Sequence, residues 1–207
     1  VTTGTQTTPR DFRFHLPADW VRISLDDKAE QAVVRIVDRQ LDKFSAAQRD
    51  GMRHALVRQL SSAVADARTA GGIDLIVGLG TSRGLPIGGS CLVLPIDIAS
   101  STVAGLLDEL QADGAQTTML TIGGGSAVRR RTRTVHRIED AASRQEIEDA
   151  LAPVPVVDGA RTQVDYFVPL PPGAQFLLFS FGTVIDPIAD AMVDLFDAIM
   201  STLRWVT

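Results

Sequence analysis

Apolar residues recur along this chain in two rhythms, and the changes of rhythm mark its elements. Phe12, Phe14 and Leu16 alternate with polar neighbours, as a half-buried strand requires. Val21, Ile23 and Leu25 repeat the alternation after the Pro17-Ala-Asp turn. From residue 27 the period lengthens to that of a helix. Ala29, Val33, Ile36, Val37 and Phe44 form one stripe, and Met52, Leu56, Leu60, Ala63, Val64 and Ala67 form a second. Asp27 with Glu30, and Ser45 with Gln48, stand at capping-box spacing. Gly71-Gly72 suits the left-handed residue that closes a helix. The spacing predicts a helix pair over 27–70 that buries both stripes against a sheet.

Beyond it the strand rhythm returns. Ile73–Leu79 and Cys91–Ile98 predict an antiparallel hairpin with a long, turn-rich tip. Ser101 caps a short helix carrying Val103, Leu106, Leu107 and Leu110, stopped by Gly114. Thr117–Ile122 and Ala127–Ile138 flank the turn Gly123-Gly-Gly-Ser126, and a weakly apolar helix is expected over 140–151 before Pro153 and Pro155. Val164–Val168 and Gln175–Thr183 are strands joined through Pro171-Pro-Gly173. The second of them is apolar at nearly every position, so it should be central and covered on both faces. Asp186 as N-cap and Pro187 at the first helical position open a last helix bearing Ile188, Met192, Leu195, Phe196, Ile199 and Leu203. Hairpins in series with helices between them predict one α+β domain over 10–207, an antiparallel sheet flanked by helices, after a flexible polar segment at 1–9.

Two stretches carry a family resemblance. Phe12-x-Phe14-x-Leu16-Pro17-x-x-Trp20 resembles the first hairpin of the PsbP-like family. The two-sided apolar strand and the helix with Phe196, Ile199, Ser201, Leu203 and Trp205 resemble that family's final strand and helix. The chain also resembles a set of actinobacterial proteins with the same beginning and end. The resemblance implies an antiparallel sheet between helices, here with an added N-terminal helix pair. It also implies an accessory or binding role, with no catalytic residue to carry over.

Composition narrows the partners. The 207 residues carry a net charge of −5 and a pI of about 5.1, which argues against nucleic acid, since phosphate backbones need a basic footprint. No apolar run reaches the roughly 18 residues of a membrane span, and residues 1–9 lack the apolar core of a leader. The single cysteine, Cys91, sits in an apolar run and reads as a buried hydrophobe. A cytoplasmic location is expected. Only two lysines beside many arginines, and no asparagine, suggest a bacterial source of high GC content.

Candidate chemistry is sparse. Gly78-Leu-Gly80-Thr-Ser-Arg-Gly84 follows a strand, but another strand follows it where a phosphate loop needs a helix. His15, His54 and His136 stand too far apart for ligand spacing, so no metal or cofactor is expected. A nucleophilic Cys91–His pair would need a group that lowers the thiol pKa, and none lies nearby in sequence. Asp186, Asp190, Asp194 and Asp197 read as the solvated face of the last helix. One feature stands out. Alternation places Arg129, Arg131, Arg133 and Arg137 on one strand face, with Val135 among them. Such a row can grip an acidic protein partner or an anionic ligand. It can equally be a solvated face neutralised by Glu139, Asp140 or the acidic helices. The sequence therefore points to a non-enzymatic accessory module with a protein partner. The alternative is a small-molecule binder or enzyme with a cleft between the sheet and the 27–70 helices.

Overall fold

A computed structural model describes residues 11–42, 44–82, 85–86, 88–98, 102–112, 114–136, 159–170 and 175–206. The expected tail at 1–9, the helix over 140–151 and the Pro171-Pro-Gly173 turn lie outside them. The elements run β1 (Asp11–Arg13), β2 (Trp20–Ser24), α1 (Ala29–Leu41), α2 (Ala46–Thr69), β3 (Asp74–Gly78), β4 (Thr81–Ser82), β5 (Leu85–Pro86) and β6 (Gly89–Ile96). There follow α3 (Val103–Ala112), β7 (Gln116–Ile122), β8 (Gly125–His136), β9 (Gly159–Leu170), β10 (Gln175–Thr183), α4 (Ala189–Ser201) and β11 (Arg204–Val206).

Seven strands form one sheet in the order β2-β3-β6-β10-β9-β8-β7, antiparallel throughout. This is the α+β architecture that the serial hairpins imply. β10 takes the middle place, as its two-sided apolar sequence requires. Register divides its side chains: Phe176 and Leu178 point to a back face, and Leu177, Phe179 and Phe181 to a front face. On the back, α1 and α2 bury Val33, Val37, Leu41 and Val64 against Ile23 and Leu75. α3 covers the other end of that face, where Leu106 and Leu110 meet Val128, Phe167 and Phe176. On the front, α4 lays Met192, Phe196, Ile199 and Met200 over Cys91, Tyr166, Phe179 and Phe181. Phe196 stacks on Phe181 at 4.8 Å and meets Trp20 edge-on at 6.2 Å.

Several local expectations hold. Gly71 closes α2 at φ +81°, and Gly123 and Gly124, at +62° and +85°, make the turn between β7 and β8. Others give way to tertiary contacts. β1 covers only Asp11–Arg13 and does not pair with β2: its partner is β11, with Phe12 opposite Trp205 and Arg13 opposite Arg204. The last helix accordingly stops at Ser201, and the residues read as its end form a strand instead. Asp186 does not cap it. Asp186–Ile188 form a 3-10 turn, and the Asp186 carboxylate is taken by Arg133. Nor does Asp27 cap α1: Asp26 accepts from the Lys28 amide, while Glu30 accepts from Ser61 at 2.6 Å. Met52, placed in the α2 stripe by spacing, is 40% exposed.

Two consequences can be measured. Removing the fully buried Phe196 ring with Phe196→Ala should cost about 3–5 kcal/mol in denaturant unfolding. Cys91 is fully buried, and burial, with lesser effects of Asp165 and Asp74, pushes its thiol well above the ordinary value. A thiol reagent should therefore find no reactive group in the native protein and one per chain after unfolding.

Candidate functional site

The arginine row on β8 faces α4. Arg129 donates to Asp197 at 2.8 Å, Arg131 to Asp190 at 2.6 Å and Arg133 to Asp186 at 2.8 Å. Aspartates of the last helix and of the turn before it thus neutralise the arginines, one of the readings the sequence left open, and the described part of the arginine row is occupied from within. Arg137 lies outside the described residues. The three contacts are not equal. The Arg131–Asp190 pair leaves the aspartate 87% exposed and contributes about 0–1 kcal/mol. Asp197 also accepts from the Tyr166 hydroxyl at 2.5 Å, and Tyr166 is wholly buried. Burial first, then the hydrogen bond to Asp197 and its charge, pushes that phenol far above its ordinary 10.0, against the opposing pull of Arg129.

The neighbouring Arg130 points to the back face and meets a buried acid. Its Nε and Nη2 donate to Asp165 Oδ2, at 3.1 and 2.6 Å. Ser180 and Gln163 donate to Asp165 Oδ1, at 2.7 and 2.9 Å, so both oxygens of this 1% exposed carboxylate are satisfied. Asp165 was not singled out from sequence, although a lone charge within Val164–Val168 was the available signal. Asp74, the lone charge in Ile73–Leu79, is a second such case.

Asp74 belongs to a node around Arg22. Arg22 Nη2 donates to Asp74 at 2.7 Å and to Asp11 at 3.0 Å, and Nη1 donates to the Phe12 carbonyl at 3.0 Å. The guanidinium lies 4.2 Å from the Phe12 ring centroid. Its Nε–H is buried without an acceptor. Partial burial pushes the Asp11 carboxyl up. Hydrogen bonds from Arg22 and the Phe12 amide, and the charges of Arg22 and Arg13, outweigh this and hold it below its ordinary 3.8. The node fastens the β1–β11 ribbon to the sheet edge.

Arg22 separates two clefts. One, of about 280 Å³, lies between Asp11, Asp74, Pro95 and Trp205. The larger, of about 510 Å³, presents Arg13, His15, Arg22 and Arg204, with Thr202 beside them and Phe14 and Leu16 as apolar walls. Among the described residues no carboxylate lines it. Arg13 and Arg204 stand directly opposite one another in the ribbon, and the His15 amide donates to Thr202 Oγ1 at 2.9 Å. Arg204 donates to the carbonyls of Leu203 and Ser201, and neither arginine has an ion-pair partner among the described residues. Like charges directly opposite in a strand pair are destabilising, and both arginines are exposed to solvent. Local sequence held no signal for it, because 191 residues separate Arg13 from Arg204 (204 − 13).

His15 and His54, the two histidines with described side chains, stand on different segments. His15 lines the cleft, His54 is exposed on α2, and nothing is described of the His136 side chain. Among the described residues no group of three potential metal ligands gathers. The interface of α1 and α2 with the sheet, where a cleft was the alternative expectation, is filled by apolar side chains.

The fold and site define an antiparallel α+β sandwich with a cationic cleft beside its terminal ribbon. The sequence matches no protein-family model and no curated protein. Among solved structures, it is similar to the solution structure of cyanobacterial PsbP (CyanoP) from Synechocystis sp. PCC 6803. The TM-score is 0.42 and the identity 12%, over 97% of this chain and 91% of that one. No helix among the described residues is long and apolar enough to cross a membrane.

Three measurements test this geometry. Arg130→Met strands the buried Asp165 charge and should destabilise by about 3–5 kcal/mol, whereas Arg131→Met should cost about 0–1 kcal/mol. Tyr166 is the single tyrosine. A raised folded pKa gives stability that is complete below pH 10.0 and lost above it, so phenolate absorbance should rise only together with alkaline unfolding. Asp11 has the opposite sign. Its contribution is present above 3.8 and lost as pH falls through its lower folded value, and a carboxyl NMR titration should place its midpoint below 3.8.

Proposed function

We propose that this chain is a non-enzymatic accessory module that holds a protein partner, and that the cationic cleft beside the ribbon is its docking site. The observation that carries the reading is the Arg13–Arg204 pair. It concentrates positive charge on a protein whose net charge is −5, at a place where no carboxylate among the described residues lines the wall. Arg129, Arg131 and Arg133 are less suited to the task, because α4 and the 3-10 turn before it already hold their guanidiniums. A cleft with apolar walls and cationic donors accepts an acidic segment by charge and by side-chain burial together. A cytoplasmic setting in a bacterium, actinobacterial by resemblance, is part of the same proposal. The single unpaired cysteine and the arginine-rich composition support it. The cleft volume of about 510 Å³ also favours a second reading, a binder of small anionic molecules.

The test is comparative capture from the native host with the full chain. Arg13→Glu/Arg204→Glu should lose the protein that the wild type retains, while Arg58→Glu on α2 retains it. Retention should weaken with added salt. Identical capture by wild type and cleft variant overturns the reading, provided both melt as folded proteins.

A further inference from the structure

We propose that the cleft recognises a phosphorylated segment of the partner, with the phosphoryl group held between Arg13 and Arg204. This rests on the cleft being the docking site. Residues opposite one another in an antiparallel pair have Cα atoms about 4.5–5.5 Å apart, so the Arg13 and Arg204 side chains leave the same face of the ribbon, and both line the cleft. His15 lies two residues from Arg13 on the same side and lines the same wall. A single carboxylate offsets one of the two fixed charges. A phosphoserine or phosphothreonine carries about −1.5 to −2 near pH 7 and three strong acceptor oxygens, enough for the Arg13 fork and for the donors that Arg204 does not spend on the Leu203 and Ser201 carbonyls. The cleft, about 510 Å³, is far larger than a phosphate. The remainder runs along Phe14 and Leu16, both half-buried, and suits the flanking residues of a peptide. An anionic bilayer is a poorer source of the phosphoryl group, because a molecule of net charge −5 is repelled from such a surface as a whole.

The experiment titrates the full chain with three peptides of one sequence, carrying phosphoserine, glutamate or serine between apolar residues. The expected result is binding of the phosphoserine peptide about tenfold tighter than the glutamate peptide. Inorganic phosphate should compete. Arg13→Ala and Arg204→Ala should each abolish the preference. Arg13→Lys keeps the charge but loses the fork, and should weaken it. Amide signals of Phe12 and Trp205 report whether the ribbon is intact in each variant. Equal affinity for the phosphoserine and glutamate peptides overturns the phosphoryl inference and leaves the cleft as an acidic-segment site. Tight phosphopeptide binding that survives both alanine variants overturns the cleft itself. Binding to phosphatidic-acid vesicles without any peptide binding overturns the protein source.

Discussion

β10 is apolar on both faces, and water must be kept from both. Phe176 and Leu178 need a cover on the back, and Leu177, Phe179 and Phe181 need one on the front. Each buried aromatic or aliphatic side chain contributes about 1.5–3 kcal/mol, against about 0–1 kcal/mol for an exposed ion pair. The layers are therefore set by this strand, and the charges decide direction and registry within them. Three helices on the back and α4 with the ribbon on the front are the sandwich that a two-sided strand demands.

The charges on the front face run antiparallel to the helix. Arg129, Arg131 and Arg133 meet Asp197, Asp190 and Asp186 in that order. Asp190 and Asp197 stand two helical turns apart, about 10.5 Å, while Arg129 and Arg131 are about 6.8 Å apart along the strand. Long arginine side chains absorb the difference. The Asp197 end carries more of the energy, because its carboxylate also satisfies the buried Tyr166 hydroxyl. With α4 held along this line, the chain leaves its end beside the β7–β8 turn, where Gly123 lies close against Leu203 and Trp205. There β11 meets β1, and Arg22 ties the pair down through Asp11 and the Phe12 carbonyl. The cleft is a by-product of that closure. Its cationic character follows from the register that sets Arg13 against Arg204.

Much of the scaffold was legible because it is local. The stripes over 27–70 are amphipathic helices, the β3–β6 and β7–β8 pairs are hairpins, and the place of β10 follows from its composition. Both charged rows were visible as well, Arg129 to Arg133 by alternation and Asp186 to Asp197 by helical spacing. That an acidic helix neutralises the arginines was one of the open readings; which aspartate takes which arginine could not be seen. Asp186 has every local mark of a helix cap, and the bidentate contact from Arg133 outcompetes that role. Phe12–Trp20 looks like a hairpin, yet β1 takes the far end of the chain as its partner.

The amino-acid sequence by itself determined the fold class and the strand that must sit at its centre, because burial of apolar residues at fixed periods needs only neighbours in the chain. Tertiary structure alone decided which charges are spent internally and which face a cleft. Ion pairs and ribbon partners are chosen by distance in space, and Arg13 and Arg204 acquire their proximity only when the whole sandwich closes.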